Sequence, residues 1–276
     1  MILSTNSQLA AYRRSLAQAP VFVPTMGALH AGHASLIERA AALAGDGGGR
    51  AVVVSVFVNP TQFNERADFD RYPRPLLVDA EICRRAGATA VYAPTVGDVY
   101  PDGAPDPHTP LPPAATDPGL EDRSRPGHFA GVVRVVRRLF ELVTPSQAVF
   151  GEKDWQQLQV VRQMTLALGM PIEIIPGSTV REPDGLAMSS RNVFLAAADR
   201  PKAVAISRAL REAAGHRDPT AAERAMSASL SEAGVSPEYA VVRDAQTLGP
   251  VVPGRAARAL IAARIGTVRL IDNSAW

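Results

Sequence analysis

Between Val21 and Ile175 the chain repeats one pattern: a short run of apolar, largely β-branched residues, then a longer segment with helical periodicity. The runs are Val21–Val23, which stops at Pro24, then Ala51–Val58, Ala90–Ala93, Ala148–Phe150 and Ile172–Ile175. Helical segments lie between them at His33–Leu43, Leu77–Ala86, Val132–Val143 and Trp155–Leu168, with Gly87 and Gly169 as stop signals and Gly45–Gly49 as a further break. Ala51–Val58 is nearly all apolar, as expected of a strand buried on both faces. Alternation of this kind, with crossovers long enough for a helix, specifies parallel strands joined by right-handed connections. The expected fold class is therefore α/β, a Rossmann-like parallel sheet. In such sheets ligands bind beyond the carboxyl ends of the strands, so the segments that follow strands are where chemistry is sought.

After Arg191 the pattern changes. Ala-rich helical sequence at Ala203–Ala214 and Ala221–Ala233 is followed by strand-like Tyr239–Val242, Ala259–Ala263 and Val268–Ile271. This predicts a Rossmann-like domain over residues 1–179 and a smaller C-terminal α+β domain over 180–276. Seven prolines between Pro101 and Pro118 predict a stiff extended loop, an excursion from the first domain.

Composition removes several classes of function. A net charge of +2 with scattered basic residues gives no electrostatic footprint for nucleic acid. No apolar run reaches the length of about 18 residues that a membrane helix needs, and the N-terminal stretch lacks the apolar core of a signal peptide. A single cysteine, Cys83, has no internal partner and reads as inert packing, which fits a reducing cytoplasm.

Four segments carry candidate chemistry. In PTMGALHAGH the first strand turns into a helix, with Gly27 and Gly32 beside His30 and His33. Helix N-terminal amides favour phosphate, and two histidines three residues apart share one side of the first turn. A metal site is the rival reading, although no third ligand of the HExxH kind is present. In NPTQF the second strand ends at Asn59 and Gln62, whose amides suit hydroxyl and carboxylate groups, although on this motif alone a plain Asn-Pro turn is the better explanation. In FGEKDWQQL, Lys153 suits a polyphosphate and Asp154 a ribose or magnesium ion, with Gln157 one helical turn on; a charged first turn is the alternative. In REPDGLAMSSRN, Ser189, Ser190 and Arg191 could close on phosphates or simply cap a helix, and no GxSxG elbow marks a serine nucleophile.

Taken together, PTMGALHAGH, NPTQF, LEDRSRPGHFAGV, FGEKDWQQL, REPDGLAMSSRN and VRLIDN resemble, in order and spacing, the pantothenate synthetase family of the HIGH-type nucleotidyltransferase superfamily. The resemblance covers essentially the whole chain. It implies condensation of D-pantoate with β-alanine through a pantoyl-adenylate, with ATP as co-substrate, Mg2+ bound through the ATP phosphates, and pyrophosphate and AMP released. His30 and His33 would stabilise phosphate charge, and Lys153, Ser189, Ser190 and Arg191 would grip the phosphates. Gly151 and Asp154 would lie near the ribose, Val180 and Met188 near adenine. Gln62 and Gln157 would hold pantoate with help from Met26. Asn59 and Glu121 would line the site near magnesium, and Met26 and Asn59 would also count among the nucleotide and pantoate contacts respectively. A homodimer is implied by the family alone.

Thr61 stands where the family usually has Met, Asp122 where it has Gly, and Arg134 where it has Thr. Asp122 adds negative charge beside Glu121. Another adenylyltransferase of the same superfamily, in which AMP transfer is the final step, is the alternative reading.

Overall fold

The computed structural model describes residues 1–45, 49–63, 66–101, 103 and 109–276. The chain divides into two compact units, Met1–Glu152 with Val160–Ser178, and Lys153–Gln159 with Thr179–Trp276. A single cut at 179/180 leaves Lys153–Gln159 with the first unit; here that stretch groups with the second.

The elements of the first unit are, in chain order, β1 (Ile2–Leu3), α1 (Asn6–Arg14), β2 (Val21–Thr25), α2 (Ala31–Gly45), β3 (Val52–Val56), α3 (Arg66–Arg71), α4 (Leu76–Arg85), β4 (Ala90–Tyr92), α5 (Val96–Val99), α6 (Glu121–Ser124), α7 (His128–Val143) and β5 (Gln147–Gly151). Helix α8 (Trp155–Ala167) and strand β6 (Glu173–Gly177) complete the alternation. The six strands form one parallel sheet in the order β1-β4-β3-β2-β5-β6. The α/β class read from the sequence is the class observed. The chain steps outward from β2 to β3 and β4, then returns to place β5 on the other side of β2, so the topological switch point lies between β2 and β5.

Burial explains the strands. Val21, Phe22, Val23, Val52, Val53 and Val54 are all at most 1% exposed, as expected where helices cover both faces. On one face Ile37 and Ala40 of α2 and Cys83 of α4 pack against Val21, Val23, Val52 and Val54. Strand β2 runs through Pro24 to Thr25 instead of stopping at the proline. The amide of Val21 bonds to Ala51 on the β3 side, so by alternation Pro24 faces β5. Pairing of β2 with β5 has already ended at Phe22, and the missing N–H therefore costs no ladder bond.

Five elements went unread in the sequence: the short helices α3, α5 and α6, the two-residue strand β1, which pairs with β4, and helix α1, whose N-cap Thr5 accepts from the Gln8 amide. Helix α7 begins at His128, one turn before the predicted Val132, because Gly127 supplies a left-handed residue (φ 80°) just ahead of it. Within the proline-rich stretch a 3-10 turn forms at Pro113–Ala115, while residues 102 and 104–108 lie outside the described residues, as do 46–48 of the predicted Gly45–Gly49 break.

In the second unit α9 (Arg200–Ala213) and α10 (Pro219–Glu232) lie on one face of an antiparallel sheet, β7 (Pro237–Asp244), β8 (Ala257–Ile265) and β9 (Val268–Ala275), in that order. Its core joins Ile206, Leu210, Met226 and Leu230 of the helices to Ala259, Ile261 and Ala263 of the central strand.

Candidate functional site

The turn from β2 into α2 sits at one side of the switch point. Thr25 donates its hydroxyl to the Ser55 carbonyl (2.6 Å) and accepts from the Gly27 amide (3.2 Å). Gly27 and Ala28 then adopt positive φ, 83° and 52°. A side chain at Gly27 would meet the carboxylate of Asp79 and Val56, each 2.9 Å from an ideal Cβ, so both conformation and space call for glycine. Asp79, on α4 and 1% exposed, accepts from the amides of Ala28 (3.0 Å) and Leu29 (2.8 Å). This carboxylate clamps the loop that delivers His30.

His30 precedes the first residue of α2, and its ring stacks obliquely on that of His33, centroids 4.1 Å apart. Its Nδ1 accepts from the Gly32 amide (3.1 Å), and Nδ1 of His33 accepts from the His30 amide (3.3 Å). In the neutral form each ring therefore carries its proton on Nε2. Among the described residues no group of three His, Cys, Asp or Glu side chains could hold a metal ion, and the metal reading of the pair gains no support.

After β3, the segment Pro60–Gln62 forms a 3-10 turn capped by Asn59. Asn59 is fully buried and heavily committed. Its Oδ1 accepts from the amide and hydroxyl of Thr61 (3.3 and 3.0 Å) and from Tyr100 (3.0 Å). Its Nδ2 donates to Gln62 Oε1 (3.0 Å) and the Gly131 carbonyl (3.2 Å). In this arrangement Asn59 orients Gln62. Gln62 in turn donates from Nε2 to the Met26 sulfur (3.1 Å), so the structure brings these two predicted residues together.

The same turn rests on the motif that follows Glu121. Helix α7 approaches so closely that a Cβ on Gly131 would lie 2.4 Å from the Thr61 carbonyl oxygen. His128, buried at the start of α7, pairs through Nδ1 with the Gln62 carbonyl (2.9 Å) and through Nε2 with Arg125 (3.0 Å). Glu121 is 5% exposed. Its neighbour Asp122 accepts from the amides of Gly119 (3.0 Å) and Leu120 (2.8 Å), which gives that acidic residue a local, loop-fixing role. Thr61 likewise uses its hydroxyl on Asn59. Gly151 ends β5, where an added Cβ would lie 3.7 Å from Leu36 of α2.

The remaining candidates belong to the second unit. Lys153 and Asp154 lie in a 3-10 turn before α8, their charged groups 3.7 Å apart, and Gln157 is half-buried one turn later. The backbone there is fixed from three sides. The Lys153 carbonyl accepts from Asn273 (2.8 Å), the Trp155 indole donates to the Ala245 carbonyl (2.9 Å), and the Arg258 guanidinium stacks on the Trp155 ring at 3.6 Å.

Residues 180–188 form a tight hairpin. The amide of Met188 bonds to the Val180 carbonyl (2.9 Å), Arg181 bridges to Ala187, and Asp184 with Gly185 (φ 95°) makes the turn. Ser189 caps the 3-10 turn Ser190–Phe194 by accepting from the Arg191 amide (3.2 Å), so a capping role is present at that serine. Ser190 is half-buried and Arg191 exposed. Arg200 pairs with both Glu182 and Asp184 and holds both carboxyls below their ordinary values, and Asn192 donates to Glu182 (2.7 Å). Away from these residues, burial pushes the Cys83 thiol up to about 12, in keeping with inert packing.

Several positions in these networks were not singled out from the sequence. Asp79 carried a signal, since it lies four residues before Cys83 in LLVDAEICRR and so shares its inward face. Arg125, His128, Arg181 and Asn273 fell inside quoted motifs without being assigned. The partners of Tyr100, Arg181, Arg258 and Asn273 could not be read, because they are contacts distant in sequence, such as the 120 residues between Asn273 and Lys153.

The family model described as pantoate-beta-alanine ligase matches residues 1–275. A pantothenate synthetase of Nocardioides sp. is 48% identical over 99% of this chain and 84% of its own length. A bifunctional pantoate ligase/cytidylate kinase of Parasynechococcus marenigrum is 48% identical over 99% of this chain, which spans only 53% of that relative. Among solved structures, pantothenate synthetase from Thermus thermophilus superposes with a TM-score of 0.88 at 42% identity, covering 99% and 98% of the two chains. Pantoate-beta-alanine ligase from Francisella tularensis, complexed with beta-gamma ATP and beta-alanine, gives 0.78 at 34% identity, covering 100% and 97%.

Proposed function

Because the chain belongs to the pantoate-beta-alanine ligase family, we propose that it condenses D-pantoate with β-alanine in two steps driven by ATP. A pantoate carboxylate oxygen attacks the α-phosphorus of ATP, and pyrophosphate leaves. The β-alanine amine then attacks the acyl carbon of the resulting pantoyl-adenylate, AMP leaves, and the proton lost by the amine passes to solvent. No protein nucleophile takes part, so catalysis comes from positioning and from donors already aimed at the developing phosphate charge.

The observation that carries this reading is the His30–His33 pair. Both rings are held through Nδ1 by backbone amides at the N-terminus of α2, beside the switch point. We assign them to phosphate charge. Gly151 and Asp154 are assigned to the ribose, Val180 and Met188 to adenine, and Lys153, Ser189, Ser190 and Arg191 to the triphosphate. Gln62 and Gln157, with Met26, are assigned to pantoate, and Asn59 acts through Gln62.

Magnesium enters this scheme as part of the substrate, Mg-ATP, carried mainly by phosphate oxygens and water, with Glu121 as the acid assigned to its surroundings. The ion neutralises phosphate charge when bound. A cytoplasmic location and a homodimer complete the proposal; no described helix is long and apolar enough to cross a membrane. The Rossmann-like description of the sheet rests on its strand order and switch point.

The test is release of pyrophosphate and AMP from Mg-ATP with D-pantoate, with β-alanine supplied or withheld. A single-turnover burst of pyrophosphate with pantoate alone, and AMP turnover only with β-alanine, is the expected result. Product release independent of pantoate would remove the substrate assignment and leave a different adenylyltransferase as the reading.

A further inference from the structure

The two phosphate-gripping segments assigned to the second unit, Lys153 and the loop ending in Ser189–Arg191, are each tied to the same short piece of β9. Asp272 and Asn273 are adjacent, 5% and 3% exposed, and alternation along the strand sends their side chains to opposite faces of the sheet. On one face Asp272 receives both terminal nitrogens of Arg181, at 2.6 and 3.0 Å. Arg181 also donates to the Gly185 carbonyl (3.1 Å) and bridges to Ala187, so this pair fixes the base of the hairpin that leads into Met188–Arg191. On the other face Asn273 donates from Nδ2 to the Lys153 carbonyl (2.8 Å). Its Oδ1 accepts from Arg258 (2.6 Å), a diagonal cross-strand neighbour whose guanidinium stacks on Trp155.

We propose that Asp272 and Asn273 are a paired positioning device, in which one dipeptide of β9 sets the spacing between the Lys153 ammonium and the hydroxyls and guanidinium of Ser189, Ser190 and Arg191. The inference rests on the assignment of those residues to the triphosphate. Neither Asp272 nor Asn273 touches substrate in this scheme. Three properties point to positioning over generic packing. The partners of the dipeptide are a backbone carbonyl next to the lysine and an arginine at the loop base. Both side chains are buried with polar bonds on named atoms. The bidentate Asp272–Arg181 geometry also constrains angle as well as distance.

The experiment compares Asp272→Asn, Asn273→Ala and the direct variant Lys153→Ala in the full chain, reading kcat, KM for ATP, KM for β-alanine and thermal melting. Asp272→Asn keeps size and removes the charge that orients Arg181; Asn273→Ala releases the Lys153 backbone. Each is expected to lower kcat/KM for ATP by tenfold or more, to leave KM for β-alanine within about twofold, and to leave most of the melting temperature intact. Restoring the carboxylate by Asp272→Glu should recover part of the ATP effect. Loss of melting temperature with equal loss in all kinetic parameters would make the dipeptide a packing element only and overturn the proposal. Should Asn273→Ala prove too unstable to measure, Asp272→Asn and Arg181→Lys decide the case by the same split. If Lys153→Ala cripples ATP use and the β9 variants do not, the positioning role fails while the triphosphate assignment stands. If Lys153→Ala itself leaves ATP use unchanged, the assignment fails and takes this inference with it.

Discussion

Asp79 Oδ1 accepts a hydrogen bond from the backbone amide of Leu29 at 2.8 Å, fifty residues earlier in the chain, while its other oxygen takes the amide of Ala28 at 3.0 Å. One buried carboxylate thereby fixes the two residues immediately before His30. Replacement by asparagine turns one acceptor into a donor facing an N–H. The expected cost is about 1–3 kcal/mol of stability for the amide left unpaired. Adenylation should slow by tenfold or more, since the donors at His30 and His33 are no longer held in place. A stopped single-turnover assay for pyrophosphate, run beside a thermal melt, checks both. An unchanged burst rate in a destabilised protein would confine Asp79 to folding.

His33→Ala is expected to slow adenylation on the order of a hundredfold, the usual effect of deleting one preorganised donor to developing oxyanion charge. Single-turnover measurement separates this from product release. A near-normal rate would remove the histidine from the chemistry.

Gly131→Ala places a methyl carbon where the Thr61 carbonyl already stands, 2.4 Å from an ideal Cβ. Either α7 or the Asn59–Gln62 turn must shift, at a cost of about 1–3 kcal/mol. Because Gln62 is assigned to pantoate, KM for pantoate should rise by tenfold or more, with a smaller change for ATP. Steady-state kinetics with each substrate varied in turn provides the check.

The acid side of the stability profile follows from Glu182 and Asp184. Bonds from Arg200 hold both carboxyls below their ordinary values in the folded chain. Their contribution is therefore complete above the unfolded values near about pH 4 and is lost as pH falls through the lowered folded ones. Arg200→Met should return both groups toward ordinary values and flatten this part of the profile. Thermal melts from mildly to strongly acidic buffer on both proteins test it; parallel profiles would rule out the linkage.

Chelation and thiol modification give two further outcomes. EDTA is expected to abolish turnover while leaving the melting temperature of the nucleotide-free protein unchanged, as befits an ion that arrives with ATP. Iodoacetamide should leave the native enzyme fully active, because Cys83 is buried and its thiol is pushed up to about 12. Metal-dependent melting, or rapid alkylation with loss of activity, would contradict the respective account.

The alternation of Val-rich runs with amphipathic segments made the parallel sheet legible, because periodicity reports burial directly. It under-read β2, where Pro24 looks like a terminator and is in fact placed where no ladder bond is required. Strand β1 was too short, at two residues, to produce any periodic signal. At the candidate site the residues that would meet ligand lie in compact motifs and could be named from the sequence. Those that hold them, Tyr100, Arg181, Arg258 and Asn273, act through long-range bonds whose partners no local pattern names, and Asp79 was marked only by its place on the inward face of α4. Asn59 shows the reverse case. It was conspicuous in sequence as a possible ligand contact, whereas its burial and its bonds to Gln62, Gly131 and Tyr100 could not be read there.

The positive φ angles of Gly27 and Ala28 bear on how fast a nucleotide can be captured. A non-glycine residue in the left-handed region costs about 1 kcal/mol, and here the buried Asp79 clamp enforces that conformation as part of the folded chain. The lip ahead of His30 is therefore held by bonds within the folded chain and not by a bound ligand. Association at this point should be limited by encounter and by shedding of phosphate hydration, with an on-rate that falls as ionic strength rises and shows no slow isomerisation phase.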